Sequence, residues 1–155
     1  MQRDYWAAFH QALEKLGGAI SGNRKPQPQS WMSYPIGRSE MNLGTVMIRQ
    51  KKRIRVELYL STEHAKAFFH LLCEQKDDVE KEIGFPLEWE ALPDRRDSRI
   101  AVYLDSTDPE DRKDWTRQHQ WLAKSLDDMH RVFAGRVKAL DADDWNSNAE
   151  ANPPA

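Results

Sequence analysis

Arg53-Ile54-Arg55-Val56-Glu57-Leu58-Tyr59-Leu60 decides the fold of this 155-residue chain. Its side chains alternate strictly, so Ile54, Val56, Leu58 and Leu60 take one face of a strand and Arg53, Arg55, Glu57 and Tyr59 the other. A second stretch, Arg99-Ile100-Ala101-Val102-Tyr103-Leu104, repeats the pattern, with Ile100, Val102 and Leu104 opposite Arg99, Ala101 and Tyr103. Each copy runs into a polar cluster, Ser61-Thr62-Glu63 or Ser106-Thr107-Asp108, of the kind that starts helices. Two half-buried strands with decorated outer faces are therefore expected, each followed by a helix.

Working outward, Leu43 to Arg49 and Arg53 to Leu60 predict a hairpin with a basic tip at Gln50-Lys51-Lys52. Leu87 to Ala91 and Arg99 to Leu104 predict a second pair around Pro93-Asp94-Arg95-Arg96-Asp97. Ser30 to Ile36 reads as a further strand, kept to an edge by Pro35, which has no N–H to give a ladder. Trp6, Phe9, Leu13 and Leu16 recur at helical spacing before Gly17-Gly18, so a first helix is expected from about Asp4 to Leu16. Ala65, Phe68, Phe69, Leu72, Val79 and Ile83 predict one helix ending at Gly84, capped by Ser61 or Thr62. Asp108-Pro109-Glu110-Asp111 predicts the start of a long last helix carrying Trp115, Leu122, Leu126, Met129, Phe133 and Val137, with an irregularity at Ala134-Gly135.

The expected fold class is α+β: two layers, a mainly antiparallel five-stranded sheet packed by helices in the order α-β-β-β-α-β-β-α, with a possible duplicated β-β-α unit. If the repeat holds, the two decorated strands share one sheet face under a pseudo-twofold axis. A single domain is expected over residues 1–140 and a flexible acidic tail over 141–155, where periodicity stops.

A formal net charge of −2 with 31% charged residues gives no global basicity, so any nucleic-acid site must be local. Cys73 is the single cysteine, which excludes an intrachain disulfide and a multi-cysteine zinc site and fits a cytoplasmic setting. No run approaches the ~20 apolar residues of a membrane span, so no membrane is expected. His10, His64, His70, His119 and His130 form no ligand pattern, no phosphate-loop motif occurs, and no cofactor or metal is expected. Metal-dependent nuclease chemistry of the restriction-endonuclease type needs an acid-x-lysine on a strand, and Glu57-Leu58-Tyr59 puts tyrosine in the lysine's place.

What remains is the decorated face. Arg53, Arg55, Glu57, Tyr59, Arg99 and Tyr103, joined by Trp31 and Arg38, are the candidate binding residues, because guanidinium forks match phosphates and aromatic rings stack on bases. Cross-strand Arg–Glu and Arg–Tyr pairs on a solvated sheet form the plain alternative.

The run Ser30 to Ser39, then Arg53 to Tyr59, Leu87-Glu88-Trp89, Ser98 to Ala101, and Asp114-Trp115 to Trp121-Leu122 resembles a bacterial domain of unknown function. The resemblance extends from about Tyr5 to Asp141. In that family the domain commonly follows a restriction-endonuclease-like nuclease half, and this chain starts at the domain's first helix. The resemblance implies a non-catalytic accessory or recognition module near DNA processing or defence, with DNA the favoured ligand and a nuclease-like protein a possible partner. Two alternatives stand beside it: a protein-interaction or homodimerisation module using an aromatic patch, and an enzyme with a site around Arg38, Glu57 and Arg99.

Overall fold

The computed structural model describes residues 1–145. Helix α1 (Gln2–Leu16) is followed by strands β1 (Trp31–Tyr34), β2 (Met41–Ile48) and β3 (Arg53–Leu60), then helices α2 (Ala65–Cys73) and α3 (Lys76–Ile83). Strands β4 (Glu88–Glu90) and β5 (Ser98–Leu104) and the long helix α4 (Trp115–Lys138) complete the order. The strands form one antiparallel sheet ordered β1-β2-β3-β5-β4. The α+β class and the helix-covered five-stranded sheet are as the sequence pattern requires.

The two Arg-Ile-x-Val strands lie side by side at the centre of this sheet. Val56 faces Val102 directly, with Arg55 opposite Tyr103 and Tyr59 opposite Arg99. Hairpin β2-β3 and hairpin β4-β5 thus flank the Val56–Val102 pair from opposite sides, which is the symmetry a repeated β-β-α unit demands. Ile54, Val56, Leu58, Leu60 and Ile100 are wholly buried under the helices. α4 packs across β2 and β3, α2 on β3 and β5, and α1 on α4. Trp6, Phe9 and Leu13 of α1 and Leu122, Leu126, Met129 and Phe133 of α4 fill the same core. Among the described residues no helix packs on the opposite face of the sheet.

Three local expectations are corrected. The helix expected to run unbroken from Ala65 to Ile83 turns at Glu74-Gln75, so that α2 packs on strands while α3 packs on α4. Arg136 of α4 donates from Nε to Gln75 Oε1 at 3.1 Å and ties that turn down. Neither Ser61 nor Thr62 is the cap: the N-cap of α2 is His64, and Thr62 takes a left-handed φ of 88°. The Asp108 side chain accepts only from the N–H of Glu110, and a 3-10 turn at Arg112–Asp114 intervenes before α4, which then continues through Ala134-Gly135 without a break. Of the expected tail, residues 142–145 form a helical turn in which Trp145 stacks on His70 at 5.1 Å. The rest, 146–155, lies outside the described residues.

A buried histidine makes folding sensitive to acid. His119 is 4% exposed between Tyr5, Phe9 and Trp115, its Nε2 has no partner among the described residues, and burial, helped by the nearby His10, pushes its pKa down to about 4. The unfolded chain therefore binds a proton near pH 6.5 that the folded chain refuses until about pH 4, and stability falls as pH drops through that window. Thermal melts from pH 7 to pH 4.5 are expected to show a midpoint falling by several degrees, and His119→Phe should flatten the profile. An unchanged slope in that variant would contradict the assignment.

Candidate functional site

Because a sheet's faces alternate, register decides which side chains meet on the uncovered side. Three rows cross it there. Trp31, Val46, Arg55 and Tyr103 form one; Ser33, Gly44, Glu57, Ala101 and Glu88 the next; Asn42, Tyr59, Arg99 and Glu90 the third. In the middle row Glu57 stands between glycine and alanine, so neither neighbour in the row raises a long side chain; the Glu57 side chain itself lies over Gly44, and Ala101 is wholly buried. The result is a trough of about 520 Å³, walled by Trp31 at one end and closed toward the other by Arg99 and Arg95.

Glu57 is only 6% exposed, yet it is anchored from one side alone. Arg55 Nε donates to Glu57 Oε1 at 2.5 Å. The other oxygen, Oε2, lies toward Gly44, where a Cβ would come within 3.3 Å of it. A Cβ here would press on the Glu57 side chain, so glycine serves the close approach of the two strands' side chains rather than backbone freedom. Trp31, on the edge strand, leaves half its surface to solvent. At the far end the loop between β4 and β5 is fastened from below by Lys66 of α2. Its Nζ lies within hydrogen-bond reach of the carbonyls of Ala91, Leu92 (2.9 Å) and Asp97 (2.8 Å) and of Ser98 Oγ (2.9 Å), which share its three N–H groups, and loss of hydration lowers its pKa. Tyr59 donates to Asp97 Oδ2 at 2.6 Å, which holds the Asp97 carboxyl below its usual range and the phenol above its own. This fastening delivers Arg95 to the rim of the trough.

The arginines beside the trough and at its wall are paired with acids. Arg53 pairs with Asp105 at 2.8 Å and lies 3.8 Å over the Tyr103 ring. Arg99 Nε donates to Glu90 Oε1 at 3.1 Å, and Tyr103 donates to Glu90 Oε2 at 2.5 Å. So Arg53, Arg55, Glu57, Tyr59, Arg99, Tyr103 and Trp31 do share one face, but Arg53 and Tyr103 lie beside the trough rather than lining it.

Arg38 does not belong to this face. It donates to the carbonyls of Val137 (3.0 Å) and Leu140 (2.7 Å), pairs with Glu40 at 2.6 Å, and lies 4.7 Å over the Phe68 ring. It satisfies carbonyls left open at the end of α4 and pins that end to the β1–β2 turn. The grouping of Arg38 with Glu57 and Arg99 as an enzyme site is therefore not assembled. Arg38→Ala should cost roughly 1–2 kcal/mol from lost charge-assisted hydrogen bonds, lowering the melting midpoint by roughly 3–6 °C for a chain of this size. Ligand binding by the trough should be unchanged.

Gly44 and Lys66 escaped the sequence reading, which places Ala101 on the outer face without a role. Only Gly44 carried a visible signal, a glycine inside a strand pattern, which marks a close approach or a bulge. Among the described residues no group of three or more histidines, cysteines and acids is placed to hold a metal ion, and no helix is long and apolar enough to cross a membrane. A larger groove of about 730 Å³ runs between α1 and α4, its lining mixing the alanines Ala8, Ala12 and Ala123 with Gln11, Lys15 and Gln120.

Fold and site together define a two-layer α+β domain whose open sheet face carries a ligand-sized, arginine-rimmed trough. Residues 1–137 match the family described as "Domain of unknown function (DUF4268)", and the chain belongs to that family. Neither the curated proteins nor the solved structures contain a match to it.

Proposed function

We propose that this chain is a non-catalytic recognition module whose ligand is DNA, held as an unpaired strand across the trough. The observation that carries the reading is the composition of that trough: Arg55, paired with Glu57, Arg99, paired with Glu90, and Arg95 at the rim, with a half-exposed tryptophan at its end. Guanidinium groups suit phosphates and an indole face suits a base of any sequence. The volume matches a base and its sugar-phosphate rather than a duplex. The neighbouring acids Glu88, Glu90 and Asp105 would oppose a second backbone. The reading carries with it a cytoplasmic setting and a nuclease-like partner that acts on the strand the module holds.

Fluorescence anisotropy of a labelled deoxythymidine oligonucleotide, with duplex of equal length beside it, tests this at low salt. Single strand is expected to bind more tightly than duplex, with a salt slope of about −0.7 per phosphate neutralised. No binding to either form, or a preference for duplex, overturns the proposal.

The exposure of Trp31 on edge strand β1 supports a second reading, self-association through that edge. Light scattering distinguishes the two: a dimer that Trp31→Ala dissolves supports it, and a strict monomer removes it.

A further inference from the structure

On the reading that the trough holds an unpaired strand, we propose that the strand leaves it over Ser30 and continues onto a second subsite, where Arg49, Lys51 and Lys52 at the tip of the β2–β3 hairpin hold its backbone. Arg95 and Arg99 close the far end of the trough, so a strand longer than the trough must leave at the Trp31 end. A second hollow, of about 430 Å³, begins there. It lies past the end of the sheet, between the start of α1 and the turn after β2, and is lined by Gln2, Ser30, Met47, Arg49, Gln50 and Glu110. Ser30 lines the trough as well, so the two hollows meet just before β1, beside the half-exposed Trp31. Because β1 is the outermost strand on that side, the way from one to the other leads over a sheet edge.

Charge marks the same route. On the sheet face Arg53, Arg55 and Arg99 each pair with an acid at 3.1 Å or less. The hairpin tip differs: Arg49, Gln50, Lys51 and Lys52 are all exposed, and neither lysine pairs with an acid among the described residues. Arg49 meets only Glu110, at 3.6 Å, which is too long for a hydrogen bond, and both side chains are well exposed. A surface pair of that kind is worth little, and a phosphate offers the guanidinium a better, forked partner. The 3-10 turn Arg49–Lys51, closed by the N–H of Lys52 on the carbonyl of Arg49 at 3.2 Å, gathers the three cations within four residues. Positive charge without an acid partner thus stands at both ends of the trough, on Arg95 at the closed end and on the hairpin tip beyond the open one. A basic track along the backbone joined to an aromatic platform is how unpaired strands are held without regard to sequence.

The test sets an unlabelled deoxythymidine dinucleotide and an octanucleotide in competition with a labelled octanucleotide on the full chain. The octanucleotide is expected to bind at least tenfold more tightly, because only it reaches from the trough to the hairpin tip. Arg49→Gln, Lys51→Gln and Lys52→Gln combined should weaken the octanucleotide by about tenfold and flatten its salt slope by about 1–2, while the dinucleotide changes by less than twofold. Glu110→Gln removes the acid that competes for Arg49 and should tighten the octanucleotide two- to threefold, again without effect on the dinucleotide. Losses of equal size at both lengths, or no loss at either, overturn the second subsite and leave the trough standing. No displacement by either length overturns both. If the triple variant does not fold, Glu110→Gln decides alone, and an octanucleotide affinity that fails to rise overturns the subsite.

Discussion

Trp31→Ala is expected to weaken binding of single-stranded DNA by roughly tenfold to a hundredfold, which corresponds to about 1–3 kcal/mol for one base stacked on an aromatic side chain. The effect on folding should be small. Trp31 leaves half its surface to solvent and lies on a four-residue edge strand, so its removal opens no cavity in the core. Anisotropy titrations paired with thermal melts separate the two. A loss of affinity with a midpoint shift of no more than about 2 °C supports the stacking role, and unaltered affinity removes Trp31 from the site. Trp31→Phe should recover part of the loss, because a smaller ring still presents a face. Weakening that tracks loss of stability would instead mean that the indole merely holds the edge strand.

Trp6→Ala is expected to be the most destabilising of these substitutions, by about 3–5 kcal/mol, the usual cost of truncating a wholly buried aromatic. At roughly 2–4 °C per kcal/mol for this chain length the midpoint should fall by about 10 °C. Trp6 packs edge-on against Tyr5 and Phe9 and donates from its indole nitrogen to the carbonyl of Gln29 at 2.7 Å. Gln29 in turn donates from its side-chain amide to the carbonyl of Trp31 at 2.8 Å. The substitution therefore loosens the polar linker that delivers β1, and binding should weaken along with stability. Trp6→Phe keeps most of the core volume but not the hydrogen bond, so its residual loss reports how far the linker depends on that one contact. Urea melts with affinities measured at a temperature where both variants remain folded would settle this; undiminished affinity in Trp6→Phe would mean that the ladder with β2 alone positions β1.

The outer face was legible because alternation has no freedom. Once Ile54, Val56, Leu58 and Leu60 are buried, Arg53, Arg55, Glu57 and Tyr59 must share the other side, and the same holds for Arg99 and Tyr103. The Arg-Ile-x-Val echo further anticipated that the two strands would share one sheet face, and the structure sets them side by side. Helical periodicity was less decisive. The apolar positions Leu72, Val79 and Ile83 keep a helical phase across the turn at Glu74-Gln75, so the break leaves no trace in the pattern and arises from where each half finds its packing partner.

Arg38 marks where local reading stops. Beside Trp31 and Tyr34 in sequence it resembled another arginine of the face, yet its partners are carbonyls about a hundred residues away at the end of α4. An arginine's role depends on which acceptors the fold leaves unsatisfied, and those are created by the end of another helix.

By itself the sequence determined the α+β class and which side chains share each strand's outer face, since both follow from short-range periodicity and burial. Tertiary structure alone decided that this surface is a trough. Cross-strand register set Gly44 and Ala101 on either side of Glu57, and Lys66, reaching from α2, carried Arg95 to the rim. Spacing along the chain holds no record of such neighbours, because ladder hydrogen bonds and packing between distant segments place them.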